Sequence, residues 1–414
     1  MNSITSPRQV PLITYPVNHM QSWAKKLLLG MLIHLQRGQL VIKENGQTLT
    51  FGQDPSLQAK IQINHPSFYL KVLTGGSIGA GEAYVDGLWD SEDLTAVIRI
   101  IVANQHTLQQ LDRKMAWLTA PFYRLQHLIN NNSKRGSKKN ILAHYDLGNE
   151  MYRTFLDPTM MYSSAIYPER TSTLEEASIH KLDLVCRRLQ LKAEDRVIEI
   201  GSGWGGFAIH AATHYGCHVT TTTISDAQYE EAKRRIEQLN LGDRITLLKK
   251  DYRDLEGQFD KLVSIEMIEA VGYRHLPGYV AKCSSLLKDD GMMLLQAITI
   301  KDQLYRSYLK GVDFIQRHIF PGGCLLSNQH LMTLICEQSD MVVREIHDFG
   351  LDYARTLNDW KKRFNRAFNS IKQNGYDEQF RRLWEFYFCY CEGGFRERSI
   401  SVIHLCAAKP QHRL

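Results

Sequence analysis

Residues 197–206, V-I-E-I-G-S-G-W-G-G, decide the fold. From Asp195 to Glu199 the chain alternates or runs apolar, glycines then crowd a sharp turn, and residues 207–212 open a helical pattern. That order is a buried strand, a Gly-rich loop and a helix N-terminus. Glycines let backbone N–H groups approach a ligand with no Cβ in the way, and a helix start favours a negative group. Glu199 stands just before the glycines. Its carboxylate would repel a phosphate, but not a ligand with hydroxyls and a positive centre. The loop therefore fits the ribose and amino-acid end of S-adenosylmethionine better than a pyrophosphate.

Around this stretch, helical and strand patterns alternate. Strands are expected near 195–200, 218–222, 245–248, 261–265, 292–298, 343–349 and 401–406. Helices are expected at 174–189, 206–214, 226–239, 274–287, 328–338, 357–372 and 377–390. Such alternation predicts an α/β domain with a mostly parallel sheet covered on both faces. Ligands of such sheets lie beyond the carboxyl ends of the strands, at the switch point. That rule gathers 199–203, 223–228, 251–254 and 266–270 around one pocket.

The N-terminal part reads differently. Residues 1–17 carry three prolines and no period, as a loose lead-in does. Residues 20–36 place Trp23, Leu27, Leu28, Met31, Leu32 and Leu35 at helical spacing, an amphipathic helix suited to a core or a membrane surface. Short strands are expected at 40–42, 49–51, 59–63 and 68–72, with Asn45-Gly46 as a hairpin turn. The Gly-rich segment 75–90 lacks the strand–glycine–helix order of a second nucleotide loop, and 93–104 and 107–129 read as helices. Residues 1–130 thus form a smaller N-terminal α+β domain. Residues 131–140 are a linker with Lys134, Arg135, Lys138 and Lys139, a solvated hinge or a contact for lipid headgroups. Residues 141–414 form the second domain.

Composition narrows the classes. A chain of 414 residues has room for two cored domains. Its eight cysteines form no C-x-x-C pair, which argues against a structural zinc, a bound metal or a disulfide framework and for a reducing, cytoplasmic compartment. No secretory pattern opens the chain. The formal charge of +6 suits a peripheral contact with anionic lipid without requiring one.

The chain resembles the cyclopropane-fatty-acyl-phospholipid synthase family, which includes the mycolic acid cyclopropane synthases. The resemblance runs from residue 38 to the C-terminus. It is carried by S-I-G-A-G-E-A-Y-V-D-G-L-W (77–89), H-Y-D-L-G-N-E (144–150), D-P-T-M-M-Y-S-S-A (157–165), E-I-G-S-G-W-G-G (199–206), T-I-S-D-A-Q (223–228), D-Y-R-D-L (251–255), I-E-A-V-G (268–272), D-F-I-Q-R-H-I-F-P-G-G (313–323) and D-F-G-L-D-Y (348–353). It implies a Rossmann-like class I methyltransferase domain with a mostly parallel seven-stranded sheet, and a lipid-handling role for the first domain. It implies methylene transfer from S-adenosylmethionine to the cis double bond of an acyl chain in a membrane phospholipid, at the inner membrane face, by a homodimer. A bound bicarbonate would accept the proton.

An alkene is a weak nucleophile, so the methyl donor must be a strong electrophile, and a sulfonium is one. The carbocation left behind needs a dry, aromatic site. By resemblance the cofactor would meet Tyr162, Ser163, Glu199, Gly201, Gly203, Thr223, Ser225, Gln228, Tyr252 and Arg253. Thr223 and Ser225 also read as helix-capping residues. Glu269, Tyr353 and Cys391 match the pattern of the bicarbonate pocket, with Ile298 as an apolar neighbour. Ser164 stands where familiar members carry cysteine, and Gln296 where many carry histidine. Both can still hydrogen-bond an oxyanion, but the titratable proton of a histidine is lost. These departures keep open a methyl-branched product, and a lipid-binding relative without catalysis stands as a third alternative. A nucleic-acid partner is disfavoured, because I-E-A-V-G stands where a base methyltransferase would carry N/D-P-P-Y/F.

Overall fold

The structure, a computed structural model, describes residues 18–112 and 148–413. The lead-in 1–17, the linker 131–140, most of the helix expected at 107–129, and His144 to Leu147 of the H-Y-D-L-G-N-E segment lie outside the described residues. The chain divides into two compact units, Met1–Thr119 and Ala120–Leu414.

In the first unit, α1 (His19–Leu32) begins at a capping box between Asn18 and Gln21. Its buried residues are Ala24 and Leu32, whereas Met20 and Trp23 are exposed at 62 % and 52 %. The expected stripe meets the core only at its C-terminal end, where Leu32 and Leu35 are buried; Leu27, Leu28 and Met31 are half-buried and Trp23 is exposed. Strands β1 (Gln39–Glu44), β2 (Gln47–Phe51) and β3 (Gln58–Ile63) follow. Asn45 and Gly46, both at positive φ, close the β1–β2 hairpin as their dipeptide predicts.

The strand expected at 68–72 is not formed; those residues open α2 (Ser67–Val85), which kinks at Gly76. Phe68 and Tyr84 close on Trp89 of β4 (Trp89–Ser91), with ring centroids 5.8 and 5.3 Å away. Packing of that aromatic trio overrides the strand propensity of the segment. Gly79 lets the two limbs of α2 approach, since a Cβ there would lie 1.9 Å from the Lys71 carbonyl oxygen. The glycines of 75–90 thus serve close packing. The unit closes with α3 (Leu94–Ala103) and α4 (Gln105–Asp112) around a sheet of order β2-β1-β3-β4.

The second unit opens with α5 (Asn149–Arg153) and α6 (Leu174–Arg188). The quoted stretch then supplies β5 (Arg196–Ile200) and α7 (Gly206–Tyr215). Next come β6 (His218–Thr222), α8 (Asp226–Gln238), β7 (Ile245–Leu248), β8 (Phe259–Ile265), α9 (Leu276–Ser285) and β9 (Leu287–Ile300). Two short helices, α10 (Asp302–Tyr308) and α11 (Phe314–His318), lead to α12 (Asn328–Gln338) and β10 (Val342–Asp348). Two long helices, α13 (Gly350–Ile371) and α14 (Glu378–Arg396), precede β11 (Ile400–Ala408). Helix α13 starts seven residues before the expected 357, because D-F-G-L-D-Y turns directly from strand into helix.

The seven strands lie in the order β10-β11-β9-β8-β5-β6-β7. β7, β6, β5, β8 and β9 run parallel, and β11 is antiparallel to both β9 and β10. The order reverses at β5, so the switch point lies between β5 and β8. Buried aliphatic and aromatic residues cover both faces, among them Leu182, Val185, Phe207 and Val219 on one and Leu276, Tyr279, Leu331 and Ile335 on the other.

Candidate active site

The parallel strands bring the carboxyl ends of β5, β6 and β8 to one edge, and the expected site residues divide there into two groups. The first surrounds the Gly-rich loop. Gly201 and Gly203 sit at φ +98° and +49°, and a Cβ on Gly203 would meet nothing within 4 Å. At Gly203 the loop therefore presents bare backbone to open space, whereas a Cβ on Gly201 would meet Met267 Cγ at 3.0 Å. Helix α7 begins behind it with no side-chain cap, which leaves its first N–H groups for a ligand. Glu199 is turned inward, accepting a 2.6 Å hydrogen bond from the Thr221 hydroxyl. Burial pushes its carboxyl up to about 7. It ties the ends of β5 and β6 together beneath the loop.

At the end of β6, the Thr223 hydroxyl donates to Gln228 Oε1 at 2.8 Å. Ser225 caps α8 by accepting from the Gln228 N–H, as its position predicts. Tyr252 and Arg253 form one turn, with the guanidinium paired to Asp251 and 5.4 Å from the Tyr252 ring centroid. Tyr162 lies within an aromatic wall. Its ring centroid is 5.2 Å from Tyr152, 5.3 Å from Trp360 and 6.2 Å from Phe320, and its hydroxyl is 3.1 Å from that of Tyr387. Ser163 is buried and accepts from the Lys181 ammonium at 2.9 Å.

The second group centres on a residue not assigned from the sequence, Glu266. Its Oε1 accepts from the Ser164 N–H at 2.8 Å and from Gln296 Nε2 at 2.7 Å, and its Oε2 accepts from the Tyr353 hydroxyl at 2.7 Å. Ser164 acts through its backbone, since its hydroxyl donates to the Ala165 carbonyl. Glu266 holds φ +48°, a left-handed conformation rare for a glutamate. Glu269 lies one short turn on. Its Oε1 accepts from the Ile298 N–H, and its buried Oε2 has no partner. Burial first, and the nearby Glu266 second, push its carboxyl up to about 8. Burial also raises Glu266, against the pull of its three donors and of Lys181. With three donors against one, Glu266 is the better charge holder of the pair.

The missing histidine reappears across the sheet. His404 of β11 pairs in register with Gln296 of β9, and its Nε2 lies 2.9 Å from Gln296 Oε1. Arg188, which can only donate, is 2.6 Å from His404 Nδ1. His404 must therefore donate through Nε2, and Gln296 in turn donates toward Glu266. Cys391, on α14, makes no hydrogen bond to either glutamate; burial pushes its thiol far up, so it is a neutral group near Tyr353. Among the described residues no cluster of His, Cys, Asp or Glu could hold a metal, and no helix is long and apolar enough to cross a membrane.

These buried groups make stability depend on pH. His210 is held near 4 and His404 well below its ordinary 6.5, so their contribution to stability grows as pH rises to 6.5, opposed from pH 4.5 upward by the raised carboxyls of Glu199 and Glu269. Above 6.5 the two histidines are neutral in both states and the carboxyl contribution dominates. An unfolded Glu269 is ionised from its ordinary 4.5 upward, whereas the folded residue keeps its proton to about 8. Stability is expected to fall by about 2 kcal/mol between pH 6.5 and 8. Denaturant unfolding across that range checks this, and Glu269→Gln should remove most of the fall.

A family model described as mycolic acid cyclopropane synthetase matches residues 132–405. The chain is 32 % identical over 386 residues to a tuberculostearic acid methyltransferase of Mycobacterium tuberculosis, covering 92 % of this chain and 89 % of that one. It is 36 % identical over 353 residues to the cyclopropane-fatty-acyl-phospholipid synthase of Escherichia coli K12, covering 84 % and 87 %. Among solved structures, a cyclopropane synthase from Mycobacterium tuberculosis matches at TM-score 0.61 and 27 % identity, over 66 % of this chain and 98 % of its own. A mycolic acid cyclopropane synthase in complex with SAH and CTAB matches at TM-score 0.59 and 28 % identity, over the same shares. The seven-stranded sheet is that of the class I methyltransferases, and the chain belongs to the mycolic acid cyclopropane synthetase family of S-adenosylmethionine-dependent enzymes.

Proposed function

We propose that the protein transfers a methylene from S-adenosylmethionine to the cis double bond of unsaturated acyl chains in membrane phospholipids, forming a cyclopropane ring. The observation that carries this reading is the half-buried Glu266–Glu269 pair set against an aromatic wall beside the Gly-rich loop. The open backbone at Gly203 and the uncapped start of α7 fit the cofactor. Tyr162, Thr223, Gln228, Tyr252 and Arg253 would complete its cradle. Bound there, S-adenosylmethionine supplies an electrophilic methyl group on a sulfonium.

The chain's own residues shelter the cation and move the proton. Tyr162, Phe320, Trp360 and Tyr387 keep water from the reacting carbons, and each aromatic face stabilises a positive carbon by about 0.5–2 kcal/mol. Tyr353 joins that wall to the carboxylates. Its ring centroid is 6.0 Å from Trp360 and its hydroxyl bonds Glu266. A carboxylate at this junction can remove a proton from a cationic hydrocarbon. In the first unit, the exposed Met20 and Trp23, one turn apart on α1, support contact with a lipid surface at the membrane.

Similarity over 92 % of the chain to a tuberculostearic acid methyltransferase favours a second product, a methyl-branched chain. One experiment separates the two. The protein is expressed in cells rich in monounsaturated phospholipid, and the acyl esters are resolved by chromatography, mass spectrometry and proton NMR. The expected result is an acyl chain heavier by one methylene, with the upfield protons of a three-membered ring. Branched esters without ring protons would replace the first product by the second, and unmodified esters would overturn both.

A further inference from the structure

The family resemblance implies a bicarbonate as proton acceptor, and the donors around Glu266 test whether one fits. An oxyanion in this pocket needs the Ser164 N–H, Gln296 Nε2 and the Tyr353 hydroxyl. All three already bond the Glu266 carboxylate, at 2.7–2.8 Å. The second proton of Gln296 Nε2 faces the Ser164 carbonyl at 3.4 Å, the Ser164 hydroxyl is engaged by Ala165, and the Ile298 N–H is engaged by Glu269. The orphaned Glu269 Oε2, on a carboxyl that keeps its proton to about 8, offers a bicarbonate a single donor and nothing beyond it. A bicarbonate would also add a negative charge beside the Glu266 carboxylate. The residues do not fit it.

We propose that Glu266 is itself the resident anion of this site and takes the proton, so that turnover needs no bicarbonate. The inference rests on the methylene-transfer reading of the site. Three features prepare Glu266 for the task. The relay from Arg188 through His404 to Gln296 fixes the direction of the amide that orients it. Its left-handed backbone, held by the bond from its N–H to the Gln296 carbonyl, aims the side chain at Tyr353. Three accepted hydrogen bonds leave one of roughly four lone-pair positions for an incoming proton.

The step balances. Methyl transfer leaves a positive carbon on the acyl chain. A C–H bond of the new methyl group breaks, and its electron pair forms the last ring bond and quenches the cation. The proton goes to Glu266 Oε2, either directly or by way of Tyr353, which hands over its hydroxyl proton as it takes that of the substrate. Cation and carboxylate become neutral ring and neutral carboxylic acid.

The test uses the full chain, vesicles of monounsaturated phospholipid and S-adenosylmethionine in buffer stripped of carbon dioxide. Adding bicarbonate is expected to change the wild-type rate by less than about twofold. Stimulation of about tenfold or more would overturn the assignment. Glu266→Gln is expected to lower turnover by about 100-fold or more, with affinity for S-adenosylhomocysteine within about threefold. A variant that keeps more than about a tenth of the wild-type rate would also overturn it. Should Glu266→Gln not fold, the wild-type bicarbonate response still decides. Product that forms only with bicarbonate sinks this inference alone, whereas no product in any buffer sinks the functional reading and this inference with it.

Discussion

Tyr353→Phe is expected to lower turnover by about 10–100-fold while leaving affinity for S-adenosylhomocysteine nearly unchanged. The substitution removes one hydroxyl, which donates to Glu266 Oε2 at 2.7 Å. A hydrogen bond to a charged group is worth about 1.5–3 kcal/mol, which sets the size of the effect. The ring itself stays, packed 4.6 Å from Phe395 and 6.0 Å from Trp360, so the aromatic wall should persist. A pH signature separates this role from simple packing. The hydroxyl favours the ionised form of Glu266, together with the Ser164 N–H, Gln296 and the Lys181 charge, whereas Glu269 opposes it. Without the hydroxyl the carboxyl holds its proton to higher pH. The acid limb of the turnover profile should therefore move upward. A loss of turnover with an unmoved acid limb would assign Tyr353 to packing alone.

Lys181→Met is expected to destabilise the second unit by about 3–5 kcal/mol, the usual result of removing one member of a buried charge group. Lys181 is fully buried on α6; desolvation lowers its ammonium to about 8, and Glu266, Asp157 and Glu199 pull the other way. Its ammonium donates to the Ser163 hydroxyl, at the junction of the two groups of site residues. Methionine fills a similar volume, so the change isolates charge from shape. Without the ammonium, Glu199 and Glu266 lose a neighbour that favours their ionised forms. Denaturant unfolding at neutral pH measures the effect, and a variant within about 1 kcal/mol of wild type would show that the charge is dispensable. Part of the loss should be recovered at pH 5, where protonated carboxyls no longer need it.

The two units were unequally legible in the sequence. Strand and helix alternation located all seven strands of the larger sheet, since most are apolar or β-branched runs bounded by turn residues. Ser225 was readable as a cap because capping depends on residues three apart. In the first unit, 68–72 looked like a strand and became helix. The deciding contact, Trp89 against Phe68 and Tyr84, joins residues from separate elements. The exposure of Trp23 was hidden for the same reason, as a helical stripe does not say which side finds a partner.

Sequence by itself determined the sheet and the Gly-rich loop at its switch point, because local periodicity and turn chemistry are written within a few residues. It did not reveal that the first glutamate of S-I-E-M-I-E becomes the hub. Glu266 gathers Ser164, Gln296 and Tyr353 from 102, 30 and 87 residues away, and its role exists only once the chain has brought them together. Lys181, His404 and Arg188 were silent too, each an ordinary residue on a helix or strand. Only the tertiary structure decided which buried carboxyl holds the charge, because burial and donor count, not residue type, set that balance.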